Sequence, residues 1–140
     1  MRKLRASVPI VPLPSLQIGL NEYEGRIRDI ADSCQDLATR CLFLTQPSLY
    51  RDDLTDYEKS LLWFGHIGQY YATVGFVSPS NMQVALNAYN LRLLDTCRVP
   101  NLECFDLSSV IHKDVSVFYD DVHVNENGAR MVADILSEYI

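Results

Sequence analysis

The chain's 140 residues are enough for one domain with a hydrophobic core and few for two. At 48% hydrophobic and 21% charged the composition is that of a globular protein, and a net charge of −6 argues against nucleic-acid binding or a broad anionic-membrane surface. No apolar run reaches the length of a membrane span. Val8-Pro9-Ile10-Val11-Pro12 is too short and too proline-broken for the core of a signal peptide, so the sequence assigns no location.

Residues 1–14, punctuated by Pro9, Pro12 and Pro14, are predicted to be irregular. From Ser15 onward, Leu16, Leu20, Tyr23, Ile27, Ile30, Ala31, Cys34 and Leu37 recur at steps of three and four, which predicts a helix with one buried face. Cys41-Leu42-Phe43-Leu44-Thr45 is unbroken and apolar, as in a strand of a parallel sheet buried on both faces. Thr55-x-x-Glu58 predicts a capped short helix through Leu61, Leu62 and Trp63. The glycine-rich, aromatic stretch around Gly65, Gly68, Tyr70, Tyr71 and Gly75 reads as loop. Ser80-x-x-Gln83 predicts a second capping box, opening a helix striped with Met82, Ala85, Leu86, Tyr89, Leu93 and Cys97 and broken at Pro100-Asn101. Leu102 to Leu107 reads as a second strand. A final helix starts near Asn127, with Ala129, Val132, Ala133, Leu136 and Ile140 on one face.

Strands alternating with amphipathic helices imply an α/β fold with a parallel sheet. Two such strands are few for that sheet, so it reads as incomplete, with an open edge suited to self-association. The four cysteines, Cys34, Cys41, Cys97 and Cys104, form no C-x-x-C pair and fall on apolar helix faces or in strand-like runs. They are expected to pack as free, buried thiols.

The chemistry-bearing string is Asp120-Asp121-Val122-His123-Val124-Asn125-Glu126-Asn127-Gly128. An Asp three residues before a His can turn back to hold one ring nitrogen, leaving the other as a general base. An Asn two residues on can cap the next helix, and a Gly lets that helix begin close against the loop. The full pattern, Asp-x-x-His-x-Asn-x-x-Gly-x-x-x-x-Ala with Ala133 at its end, resembles the last sequence block of the SGNH (GDSL-type) hydrolases, which are serine esterases and lipases. The resemblance covers roughly residues 15–140. Leu42-Phe43-Leu44-Thr45-Gln46-Pro47 looks like the family's fourth strand and its following loop, Ala88-Tyr89-Asn90 like a step on the helix before the last strand, and Cys104-Phe105-Asp106-Leu107 like that last strand.

The resemblance implies the C-terminal part of a flavodoxin-like, three-layer α/β/α parallel sheet, and hydrolysis of a small-molecule acyl ester without metal or organic cofactor. Asp120 and His123 would be its catalytic residues. The family's Gly-Asp-Ser nucleophile loop does not occur in the sequence, nor does Gly-x-Ser-x-Gly. Gly19-Leu20-Asn21-Glu22 superficially matches the family's Gly-x-Asn-Asp block but lies in a helical stripe. The nucleophile-bearing part is therefore expected to lie outside this sequence, leaving this chain inactive alone. Ser108 and Ser109 lack the glycine of an exposed nucleophile turn. Two other readings stay open: a noncatalytic interaction module, and a metal-dependent hydrolase using Asp120, Asp121 and His123. His66 and Trp63 read as loop and rim residues, Asn90 as a group satisfying nearby backbone, and Asp121 as the competitor of Asp120.

Overall fold

The structure is a computed structural model that describes residues 8–69, 72–98 and 102–140. In chain order it contains β1 (Ile10–Val11), α1 (Gln17–Asp36), β2 (Leu42–Leu44), α2 (Asp56–Leu61), β3 (His66–Gln69), β4 (Ala72–Val77), α3 (Pro79–Thr96), β5 (Glu103–Phe105), α4 (Leu107–Val110) and α5 (Glu126–Tyr139). Helices interleave with short strands, and the chain is α/β. It divides into two compact units. One gathers the chain up to Leu13 with Pro47–Val84 and Ile111–Ile140; the other gathers Pro14–Gln46 and Ala85–Val110.

In the second unit β2 and β5 pair in parallel, Leu42 opposite Glu103, Phe43 opposite Cys104 and Leu44 opposite Phe105. Both strands are half-buried, short of the two-sided burial their apolar runs predict, because each has a single partner strand among the described residues. The stripe on α1 is likewise only partly covered: Ile27 is buried, whereas Ile30 and Leu37 are exposed. At the end of α1 the Thr39 N–H bonds the Cys34 carbonyl at 2.9 Å and the Ala38 N–H bonds that of Gln35 at 3.0 Å. This is a Schellman closure, and Ala38 takes its left-handed position at φ 51° where glycine is the usual residue.

Two disulfides overturn the expectation of free thiols. Cys34 is bonded to Cys41 and Cys97 to Cys104, so no cysteine is free. A helix that reverses into a strand brings residues seven apart to Cα separations of 6.2 and 6.1 Å, within bonding reach. Each bridge thus ties a helix end to the strand that follows it. Beyond the strands, Thr45 Oγ1 donates to Asp106 Oδ1 at 2.7 Å and accepts from the Ser108 N–H at 2.8 Å. Asn90 satisfies both the N–H and the carbonyl of Gln46, each at 2.9 Å, the role its place on an apolar helix predicts.

The first unit has a sheet of order β1-β4-β3. β1 runs parallel to β4 inside the stretch expected to be irregular, and β3 and β4 form an antiparallel pair inside the stretch read as loop. Glycines hid that pair from its composition. Gly68, at φ +100°, sits where the register shifts, and a bulge there needs the left-handed region that glycine supplies. Tyr70 and Tyr71, and the expected break at Pro100-Asn101, lie outside the described residues. The core of this unit is Leu49, Tyr50, Leu54, Leu62, Phe76, Val77, Ile111, Val117 and Phe118.

The capping box on α2 forms as expected: the Thr55 hydroxyl accepts the Glu58 N–H, and the Glu58 carboxylate accepts the Thr55 N–H. The second expected box does not. α3 starts two residues earlier, with Ser78 Oγ accepting the Asn81 N–H and Pro79 at the first helical position, where its missing N–H costs no bond. On α5 Ala129 and Ala133 are exposed, and Gly128, Met131, Val132, Ile135 and Leu136 form the more buried face.

Candidate functional site

The loop between Val117 and Asn125 is closed by its own backbone. Phe118 and Val124 form an antiparallel bridge, the Tyr119 N–H bonds the His123 carbonyl at 3.2 Å, and the Asn125 N–H bonds that of Val117 at 2.8 Å. At its tip the Asp120 carboxylate turns back over the next three residues. Oδ1 accepts the Val122 N–H at 3.1 Å and the His123 N–H at 2.9 Å. The His123 ring Nδ1 lies 3.0 and 2.9 Å from the two carboxylate oxygens.

A carboxylate only accepts, so Nδ1 carries the hydrogen and Nε2 of a neutral ring keeps its lone pair. The His123 side chain is 57% exposed and Asp120 is buried, and among the described residues no group bonds Nε2. Burial raises the Asp120 carboxyl, but the hydrogen bonds from the His123 N–H and ring and from the Val122 N–H outweigh it and hold the group below the usual carboxylate range. Tyr119 lies nearly parallel to the imidazole, ring centres 5.8 Å apart and planes 13° apart. The ring is thus oriented by a carboxylate at one nitrogen and by a stacked phenol on its face.

The helix after the loop is placed as the motif predicts. Asn125 Oδ1 accepts the Gly128 N–H at 2.9 Å, and the Asn125 and Asn127 amides reach back to the carbonyls of Val115 and Ser116. A side chain at Gly128 would collide with the Val117 carbonyl and with Val124, so only glycine lets α5 start against the loop.

Of the two adjacent acids, Asp120 faces the imidazole and Asp121 turns inward. Asp121 is fully buried and accepts the Tyr50 hydroxyl at 2.8 Å, the Phe64 N–H at 3.0 Å and the Trp63 N–H, while its own carbonyl takes the Leu49 N–H. It pins two stretches of chain, Leu49–Tyr50 and Trp63–Phe64, to the His123 loop. The partners of its side chain are 57 to 71 residues away in sequence, so no local pattern could have revealed them.

Ser108 and Ser109 are engaged elsewhere: both lie in α4 and donate their hydroxyls to Asp106, at 2.9 and 2.8 Å. His66 lies in β3, edge-on to Phe76, and its buried Nδ1 has no hydrogen-bond partner among the described residues. Gly19-Leu20-Asn21-Glu22 is inside α1, as the helical stripe implies. Among the described residues no three His, Cys, Asp or Glu side chains stand together as a metal site. No family model, curated protein or solved structure matches the chain.

Proposed function

We propose that this chain carries the general-base part of an SGNH-type ester hydrolase, with Asp120 and His123 acting on a serine contributed by polypeptide outside these 140 residues. The observation that carries this reading is the paired geometry of a buried Asp120 on Nδ1 and an exposed His123 with Nε2 unbonded. In the reaction, Nε2 takes the serine hydroxyl proton as its oxygen attacks the ester carbonyl. The imidazolium, held by Asp120, then returns that proton to the departing alcohol. Water repeats the two steps on the acyl-serine, releasing the acid and restoring the hydroxyl.

The test is the DNA upstream of Met1. Translation in frame should give a buried strand ending in Gly-Asp-Ser and, later, a strand ending in Gly-x-Asn-Asp. In that longer protein His123→Ala should lower turnover by several orders of magnitude and Asp120→Ala by less, because Asp120 orients without transferring the proton. Stop codons and unrelated sequence in every upstream frame would sink the proposal.

A second reading, a noncatalytic interaction module, is favoured by one observation. α1 exposes Ile18 and Ile30 at 76% and 53%, and its C-cap Leu37 at 75%, apolar side chains suited to a partner.

A further inference from the structure

Two stretches of the second unit share one pattern. Leu20-Asn21-x-Tyr23-x-x-Arg26-Ile27 is matched by Leu86-Asn87-x-Tyr89-x-x-Arg92-Leu93. After a spacer three residues longer in the first copy, Asp32-Ser33-Cys34 and Cys41-Leu42-x-Leu44-Thr45 are matched by Asp95-Thr96-Cys97 and Cys104-Phe105-x-Leu107-Ser108. Each copy is a helix, a disulfide elbow and a strand: α1 with β2, and α3 with β5. Matched residues do the same work. Ser33 Oγ and Thr96 Oγ1 each donate to the carbonyl four residues back, at 2.8 and 2.7 Å, and Ile27 and Leu93 are both buried. The copies lie side by side, β2 parallel to β5 and Tyr23 edge-on to Tyr89 at 5.2 Å.

Modules stacked in parallel meet through two different flanks, one from each neighbour. Matched positions identify the flank that the first copy leaves over. In the second copy Arg92 pairs with Glu24 at 2.8 Å, Thr96 is 3% exposed, and Leu102 lines a hollow of about 640 Å³ with Arg28 and Ala31 of α1. Their counterparts in the first copy, Arg26, Ser33 and Thr39, are all exposed. On that flank the exposed Ile30 and Leu37 border a second hollow, of about 290 Å³, with Ser33 and Thr39. Among the described residues β2 pairs only with β5, so no strand continues the sheet beyond it. The flank of module two that module one covers is thus open on module one, and a copy of the same module is what fits it. On α3 Tyr89 and Arg92 turn to α1, whereas Leu91, about 160° and 100° round the helix from them, is 62% exposed. We infer that the Ile30 flank of α1 is the docking surface for a second copy of this chain, which seats the Leu91 side of its own α3 there. Ile30 and Leu37 against Leu91 supply the apolar contact. The two surfaces differ, so the contact is head-to-tail and does not stop at a symmetric dimer. None of this involves Asp120 or His123.

Sedimentation of the full, oxidised chain across a wide range of concentration tests this. The wild-type chain should grow past the dimer as concentration rises. Ile30→Asp removes one surface and Leu91→Asp the other, so each variant alone should associate at least tenfold more weakly. Leu37→Asp, just beyond the end of α1, should act as Ile30→Asp does. Mixed in equal amounts, Ile30→Asp and Leu91→Asp keep one intact surface each and should form a one-to-one dimer that grows no further. That recovery requires both variants to be folded, so it separates a blocked surface from a damaged chain. A wild-type chain that stays monomeric or stops at a dimer overturns the inference. So does a variant that associates as well as wild type, or a mixture that stays monomeric. Any of these results leaves the reading of Asp120 and His123 standing, because the docking surface takes no part in that chemistry.

Discussion

Adjacent acids at the tip of one loop do opposite work. Asp120 serves the imidazole, whereas Asp121, next in sequence, fills its oxygens with three donors from distant segments. Their neighbourhood in the string makes them look interchangeable; burial separates them. Asp121→Ala should cost about 3 kcal/mol or more, because it strands the Trp63 and Phe64 N–H groups, and urea unfolding of the variant checks this. A near-neutral variant would show that the anchor is dispensable. Asp120 gives a prediction in pH. Its folded carboxyl lies below the ordinary 3.8, so its contribution is complete above that value and disappears as pH falls through the lowered one. The stability gap between wild type and Asp120→Asn should therefore close as pH falls below about 4. A gap that stays fully open down to about pH 2 would contradict the hydrogen-bond account.

At the scale of elements, what was legible in the sequence was local. The Asp120–His123 turn, the Asn125 cap on the Gly128 N–H and the Thr55 capping box all involve residues three apart or fewer, and each local string contains all the parts. The antiparallel pair β3–β4 was not legible, because strand pairing is decided by a partner and its glycines masked any alternation. The disulfides were half legible: two cysteine pairs with the same seven-residue separation, each spanning a helix end and a strand, were a signal that composition overlooked. Loop closure over that span corresponds to about 2.5 kcal/mol per bridge. The unreduced, denatured chain should take up no alkylating reagent and the reduced chain four equivalents, one per cysteine. Replacing Cys97 and Cys104 together by Ser should lower stability by about 2–3 kcal/mol. Four thiols that alkylate without reduction would refute the pairing.

At the scale of the whole molecule, the two units differ in how much apolar surface they cover. Among the described residues the first buries nine hydrophobic side chains, Leu49, Tyr50, Leu54, Leu62, Phe76, Val77, Ile111, Val117 and Phe118, whereas the second buries Ile27, Leu93 and Leu107 and leaves much of α1 open. Among the described residues β2 and β5 pair only with each other. The purified chain should bind a hydrophobic dye or self-associate through that open sheet edge and helix face. A monodisperse monomer that unfolds cooperatively and binds no dye would show that these residues satisfy themselves. The central claim is that His123, oriented by Asp120, serves as base to a serine nucleophile. Its most direct test is to expose the native protein, taken from its source cell, to a serine-directed phosphonate probe and to identify the labelled polypeptide by mass spectrometry. The account predicts a covalent adduct on a serine of the polypeptide that contains the Asp120–His123 loop, lost when His123 is replaced by Ala; a native protein that takes no label, or labels equally well without His123, would contradict it.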